Sequence, residues 1–110
     1  MRFVKYLALS AALLCGTAEA GEWLVQNGTI ISVAPVADNQ DKFYAIVEGG
    51  TGPCANGTIQ FPRSAFPDEN SHIRVFSTLL TAMTVGNKVN IHNYVDAQCT
   101  NAGFILLNKP

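Results

Sequence analysis

Few residues in this sequence have the type and spacing that catalysis requires. The two histidines, His72 and His92, stand far apart and match no two-histidine metal motif, so we expect both to be solvent-exposed structural residues. Hydrolysis by paired carboxylates would need two converging acids. The available acids fall in turn-like segments, where such residues commonly cap the backbone: Asp38, Asp41, Asp68, Glu69 and Asp96. No Gly-x-Ser-x-Gly nucleophile motif occurs. We therefore expect a protein that is not an enzyme and that uses no metal or cofactor.

Residues suited to binding are better represented. Trp23, Tyr44 and Tyr94 are aromatic residues with a polar group, which stack on sugars or fill protein interfaces. Packing in the core or at the end of a barrel is the alternative for each of them. The purely apolar aromatic residues are expected in the core: Phe43, Phe61, Phe66, Phe76 and Phe104.

The N-terminal segment has the features of a secretory signal. Arg2 and Lys5 precede an apolar run over residues 6–15, and Ala18-Glu19-Ala20 matches the pattern that a signal peptidase cleaves. The apolar run is too short to span a bilayer. We expect cleavage after residue 20 and export to the periplasm or the medium.

A lipid anchor is the alternative for this N-terminal segment. Cys15 follows Leu14 rather than the small residue that a lipoprotein cysteine prefers, which favours a soluble product. Residues 21–110 then form a single domain with 5 basic and 7 acidic residues, a net charge of −2. Such a chain has no strongly basic surface for nucleic acid, and we expect no transmembrane segment.

Two cysteines remain after this cleavage, Cys54 and Cys99. An even number of cysteines in an exported chain predicts a disulfide bond. Closing this long loop would stabilise the domain by about 4 kcal/mol, which is a large share of the stability of a small protein. A redox or metal-binding pair is the alternative, but neither cysteine lies in a Cys-x-x-Cys motif.

The order of elements is three strands, one helix and two strands. Apolar alternation and β-branched residues predict strands over 29–36, 42–48, 58–61, 88–95 and 103–107. A polar turn is expected over 37–41. Asn27 and Asn56 each begin an Asn-Gly-Thr triplet. Both triplets are interpreted as tight turns in a bacterial protein, although a eukaryotic host would glycosylate them.

The helix is predicted over 71–85. One apolar stripe runs along it, and the opposite face is polar but almost uncharged. The stripe comprises Ile73, Phe76, Leu79, Leu80 and Met83, and the polar face comprises Ser77, Thr78, Thr81 and Thr84. Asp68, Asn70 and Ser71 are candidate N-caps, and Gly86 is the expected C-terminal stop.

This order of elements is that of an OB-fold, a five-stranded Greek-key barrel with a helix between its third and fourth strands. The fold class is therefore expected to be mainly β. A small α+β sheet with one helix packed across it is the alternative.

Several short motifs give the chain a resemblance to a known family. They are Glu22-Trp23, the segment from Asp41 to Gly49 followed by Cys54, Phe76-Ser77-Thr78-Leu79, Gly86-x-x-Val89-x-Ile91 and Cys99. In these motifs the sequence resembles the binding subunits of subtilase cytotoxin and typhoid toxin. It departs from them in a shorter helix region and in having two cysteines rather than a larger set.

This resemblance implies a secreted OB-fold protein that forms a ring pentamer and binds sialylated glycans. A serine early in the first strand contacts sialic acid in those toxins, and Asn27 or Thr29 occupies that place here. The resemblance supports the expected fold more strongly than it supports the expected ligand. Our hypothesis is a toxin-B-subunit-like module whose candidate ligand-binding residues are Asn27, Thr29, Trp23, Tyr44 and Tyr94. A periplasmic accessory or structural protein that binds another protein is the alternative.

Self-association is expected from the last strand. Residues 104–107 are consecutive and apolar, so one alternate pair must face outward. The nearly uncharged helix face supports the same expectation, since small polar groups tolerate packing against copies better than like charges do. The alternative is that the segment around Trp23-Leu24-Val25 covers the last strand within one monomer.

Overall fold

Five antiparallel strands and one α-helix make up the fold. A computed structural model describes residues 21–36 and 41–110, so the expected signal segment and most of the expected turn at 37–41 lie outside the described residues. The elements are listed here in chain order: β1 (Glu22–Val36), β2 (Lys42–Glu48), β3 (Thr58–Pro62), a 3₁₀ turn (Arg63–Ala65), α1 (Glu69–Val85), β4 (Lys88–Asn93) and β5 (Phe104–Leu107).

The strands form one sheet in the order β3-β2-β1-β4-β5, and every neighbouring pair is antiparallel. The long central strand β1 pairs with β4 through its first half and with β2 through its second half. The predicted order of elements is confirmed, as is a mainly β fold with the helix between the third and fourth strands.

β1 is much longer than the strand predicted over 29–36, because the Asn27-Gly28 dipeptide is not a turn. Asn27 has a φ of 57° inside the strand, at a bulge where the β1–β4 register shifts between Val25 and Gly28. A second shift follows Trp23, and Leu24 and Val25 are both fully buried beside it. Asn56, the other Asn-Gly site, does lie in a turn with positive φ.

Both cap residues of α1 are among those expected, although the helix begins at Glu69, two residues before the predicted start. Asp68 is the N-cap, and its Oδ1 accepts a hydrogen bond from the Ser71 backbone N–H at 2.8 Å. This bond holds the pKa of the Asp68 carboxyl below its ordinary value. Gly86 ends the helix in the left-handed region, with a φ of 91° that disfavours any side chain.

The core lies between α1 and one face of the sheet, and the helix presents a different row to it than the predicted stripe. The buried helix residues are His72, Leu79 and Ala82. Ile73, Leu80 and Met83 were expected in the core but are exposed. They flank the buried row because β1 and β5, the strands that α1 packs against, cover only one side of the helix.

The phenylalanines follow the core prediction with one exception. Phe43, Phe61 and Phe66 are buried, and Phe76 is partly buried and packs against the core. Phe104 is instead half-buried beside Trp23, whose ring centroid lies 6.1 Å away. Within β5, Ile105 and Leu107 pack against the core, whereas Leu106 is 43% exposed. Trp23 thus covers part of the last strand within the monomer and leaves Leu106 in contact with solvent.

The predicted disulfide is present. Cys54 and Cys99 are bonded, with their Cα atoms 5.8 Å apart. Two backbone hydrogen bonds lie beside it, since Gln60 N–H donates to the Cys99 carbonyl at 2.7 Å and Ala102 N–H donates to the Gln60 carbonyl at 3.0 Å. The segment before β5 is therefore joined covalently to the loop between β2 and β3 and by hydrogen bonds to β3, although β3 and β5 stand at opposite ends of the sheet order.

Candidate functional site

The outer side of β4, facing away from the helix, carries most of the predicted binding residues. Along β4 the buried residues are Val89, Ile91 and Asn93, so the intervening side chains of Lys88, Asn90 and His92 point to the other side. Trp23 and Thr29 of β1 stand opposite His92 and Lys88 in the ladder. Leu106 of β5 stands opposite Asn90 on the same side. We call this surface the β4 face; it comprises Trp23, Asn27, Thr29, Lys88, Asn90, His92, Tyr94, Phe104, Leu106 and Asn108.

One end of the β4 face is aromatic. Trp23 and Tyr94 each contact His92 edge to face, with centroids 4.8 Å apart in both pairs. The same two rings contact Phe104 at 6.1 and 6.2 Å. The four rings therefore close a cycle of edge-to-face contacts, the geometry that aromatic pairs prefer. Trp23 remains 37% exposed and Tyr94 60% exposed, so both present ring surface to solvent.

His92 lies within this cycle and is half-buried, not solvent-exposed as expected. Its Nδ1 is buried and has no hydrogen-bond partner among the described residues. The His92 ring contacts Trp23 on one side and Tyr94 on the other. Because His92 lies between them, these two exposed rings stand close together.

The other end of the β4 face is polar. The Asn90 Oδ1 accepts from the Asn27 backbone N–H at 2.9 Å and from the Asn108 Nδ2 at 3.0 Å. The Lys88 ammonium donates to the Thr29 hydroxyl at 2.7 Å. These bonds fix the amides and the hydroxyl in place on an exposed surface. Because ammonium and amide groups carry several donors each, they retain capacity for a ligand.

A buried asparagine orders the loop that carries Tyr94. Asn93 is fully buried, and its Oδ1 accepts from the backbone N–H groups of Val95 and Asp96 at 2.9 and 3.1 Å. Its Nδ2 donates to the Gln98 carbonyl at 3.0 Å and to the Asp96 carboxylate. Sequence reasoning placed Asn93 only on the apolar side of its strand. A polar residue at a core position of a strand is the signal that would have identified it.

Tyr44 is the one predicted binding residue that lies elsewhere. It pairs with Ala34 of β1 and Gln60 of β3, near the far end of the sheet. Trp23 and Ala34 are separated by roughly 35 Å along β1 at the usual rise per residue. Tyr44 and the β4 face therefore cannot contact one small ligand together, whereas Trp23, Tyr94, Asn27 and Thr29 occupy one continuous surface.

His72 was expected to be solvent-exposed and is buried instead. It stacks on Phe43 with centroids 4.6 Å apart, and its Nε2 lies 2.8 Å from the Phe61 carbonyl oxygen. Because a carbonyl can only accept, Nε2 carries the proton and donates. His72 thus links α1 to β3 as part of the core. In the part of the chain that the structure describes, no group of three or more His, Cys, Asp or Glu residues could hold a metal ion.

No helix among residues 21–36 and 41–110 is long and apolar enough to cross a membrane. Comparison with known proteins yields a family and no function. The model of a family described as "Family of unknown function (DUF5992)" matches residues 4–109, so the chain belongs to this family. No curated protein and no solved structure matches the chain.

Proposed function

We propose that this member of the DUF5992 family is an exported binding module without enzymatic activity, and that it recognises a glycan through the β4 face. The observation that carries this proposal is the continuity of the surface. Exposed aromatic rings and fixed amide, hydroxyl and ammonium groups lie side by side along β4 and the part of β1 that pairs with it. The disulfide and the absence of a membrane-spanning helix among the described residues are compatible with export.

A sugar ring presents two kinds of surface, and the β4 face supplies a partner for each. The C–H faces of a sugar are apolar and pack on aromatic rings such as Trp23 and Tyr94. The hydroxyl groups need donors and acceptors held in place, which Asn27, Asn90 and Asn108 offer. Pre-ordered polar groups lose little entropy when a ligand binds, so this surface suits recognition without a deep pocket.

The architecture supports an OB-fold barrel that closes at residues 99–102, just before β5, and leaves the outer edge of β5 without a partner strand among the described residues. Gln60 of β3 bonds to the segment before β5, and the Cys54–Cys99 disulfide crosses the same junction. In an OB-fold, closure brings the third and last strands together. This arrangement, with the helix between β3 and β4, is what the resemblance to the binding subunits of subtilase cytotoxin and typhoid toxin implies.

A homo-oligomer belongs to the same proposal, with a ring pentamer as the form that the resemblance implies. Ile73, Leu80 and Met83 expose apolar surface on α1. Beside them, the hydroxyls of Thr81 and Thr84 donate to the carbonyls four residues earlier, so they need no other partner when buried. An apolar, uncharged helix face with satisfied hydroxyls is suited to packing against copies of itself.

The alternative function is that of a periplasmic accessory or structural protein that binds another protein. The exposed apolar flank of α1 favours it as well, because such a flank accommodates any complementary apolar partner. The two functions differ at the aromatic end of the β4 face, formed by Trp23, His92 and Tyr94, which only glycan recognition uses.

The direct test is a glycan array probed with the protein purified after export from cells that express the full chain. We expect binding to a restricted group of glycans, and the loss of that binding in Tyr94→Ala. Val95→Ala is the matched control, since Val95 is the next residue and is equally exposed but lies outside the β4 face. The absence of binding to every glycan, together with a monomeric state, would contradict the proposal.

A further inference from the structure

A groove runs between the start of β5 and the N-terminal half of α1, on the helix side of Tyr94. Its volume is about 550 Å³. Ser71, Arg74 and Thr78 line it from the helix, and Gly103, Phe104 and Ile105 line it from the strand. Apart from Tyr94 and Phe104, which border both surfaces, the groove shares no residue with the β4 face.

The strand that forms one wall has an unpaired edge. β5 is the last strand in the sheet order and, among the described residues, pairs only with β4. Asn108 N–H donates to the Lys88 carbonyl at 2.8 Å, which sets the alternation of the ladder. Leu106 and Phe104 then bond to β4, whereas the N–H and C=O groups of Ile105 and Leu107 point away from it. No hydrogen bond joins those groups to another described segment.

The positive charge of Arg74 indicates which kind of molecule the groove binds. Arg74 is the one charged residue among the described residues that line it, and its side chain is exposed. A guanidinium group pairs with a carboxylate through two parallel hydrogen bonds. A second copy of the chain, paired edge to edge, would bring its own β5 to this place, and residues 103–109 contain no carboxylate that could pair with Arg74. An occupant with a carboxylate is attracted instead.

We propose that this groove binds an extended, acidic segment of a partner protein as an added strand on β5. The peptide backbone pairs with the free N–H and C=O groups of Ile105 and Leu107, which is the chemistry of strand addition at an exposed sheet edge. A carboxylate side chain of the peptide pairs with Arg74. This site is separate from glycan recognition and does not depend on it.

The test is selection from a random-peptide display library on the exported protein, with Arg74→Glu selected in parallel. We expect wild-type selections to be enriched in Asp and Glu, and Arg74→Glu selections to be enriched in Lys and Arg. A selected acidic peptide should bind Arg74→Glu about tenfold more weakly or worse. Arg74 is exposed, so the variant is expected to fold, and its far-ultraviolet circular dichroism verifies this.

Amide hydrogen exchange locates the bound peptide. A selected peptide should slow exchange at Ile105 and Leu107, and leave Leu106, which already bonds to β4, nearly unchanged. Failure to enrich peptides, enrichment without a charge signature, or binding that leaves the Ile105 and Leu107 amides unprotected would each overturn the proposal. Protection of both amides in the free protein that disappears on dilution would identify a second copy as the occupant and overturn it too. Glycan binding by Arg74→Glu should stay unchanged. A failure of the peptide site can therefore be distinguished from a failure of the proposed glycan recognition.

Discussion

Trp23 and His92 face each other across the β1–β4 ladder, with ring centroids 4.8 Å apart and planes at 73°. This contact places the single tryptophan of the sequence at the aromatic end of the β4 face. His92 holds Tyr94 in the same way on its other side. His92 of β4 thereby brings together the exposed rings of Trp23 and Tyr94, which are distant in the sequence.

Removing an exposed ring should weaken glycan binding without unfolding the protein. We expect Tyr94→Ala to lower the affinity for a bound glycan by about tenfold or more, because stacked aromatic contacts contribute on the order of 1 kcal/mol or more. Tyr94→Phe should retain most of the affinity, since it keeps the ring. Isothermal titration calorimetry with a glycan identified on the array measures both. An equal loss in Tyr94→Phe and Tyr94→Ala would show that the ring is not the contact.

Breaking the disulfide should destabilise the domain strongly. Cys54→Ser or Cys99→Ser is expected to lower the free energy of unfolding by about 2–5 kcal/mol, because the long loop gains freedom in the unfolded state. Denaturant titration measures the change. Thiol titration of the native protein without its expected signal segment should find no free thiol, and two reactive thiols would contradict the prediction.

The helix cap should give stability a dependence on acid pH. The pKa of Asp68 is lowered in the folded protein by the hydrogen bond from the Ser71 N–H. Its contribution is therefore present above the ordinary carboxyl pKa and is lost as the pH falls through the lower, folded value. Asp68→Asn keeps a capping oxygen but cannot titrate. Denaturant unfolding across the acid range should show a smaller loss of stability in this variant, and an identical pH profile would rule out the cap as a contributor.

The buried Asn93 should matter more for stability than the half-buried Asn90, three residues earlier in β4. Asn93→Ala removes the acceptor for the Val95 and Asp96 N–H groups, and we expect a cost of about 2–3 kcal/mol. Asn90→Ala, whose partners can reach water, should cost less than about 1 kcal/mol. Thermal or denaturant unfolding compares the two. Equal costs would mean that the loop is not organised by Asn93.

Self-association should depend on exposed apolar residues of α1 and β5. Light scattering at micromolar concentration is expected to give a multiple of the chain mass. Leu80→Glu or Leu106→Glu should reduce it to one chain while the circular dichroism spectrum stays unchanged, since both side chains are exposed in the monomer. A wild-type mass of one chain would contradict the oligomer.

The sequence predicted the elements better than it predicted which residues face which neighbour. Alternation and caps located the strands and the helix, because these signals act over a few residues. The predicted apolar stripe of the helix differs from the buried row, because two adjacent rows of α1 both carry apolar side chains. The row that faces the core contains His72 and Ala82. These residues are less hydrophobic than Ile73, Leu80 and Met83, which form the exposed row beside it.

Long-range pairing decided the remaining differences. Asn27-Gly28 has the composition of a turn, but the Asn90 side chain accepts the Asn27 N–H from the next strand, and the chain continues as a bulged strand. The alternation predicted over 88–95 grouped Lys88, Asn90 and His92 on one side correctly, although the strand ends at Asn93 and Tyr94 lies just beyond it. Periodicity within β4 does not indicate that Trp23 pairs beside His92 or that Tyr44 lies at the far end of β1, because both depend on the sheet register.

The measurement that tests glycan recognition at the β4 face most directly is a titration of Trp23 fluorescence. Because Trp23 is the one tryptophan in the sequence, its emission reports on the aromatic end of this surface alone. A glycan identified on the array should shift or quench the emission in a saturable manner, with the same dissociation constant as calorimetry gives. Tyr94→Ala should weaken that constant. A glycan that binds by calorimetry while the Trp23 emission and the Tyr94→Ala affinity stay unchanged would contradict the assignment.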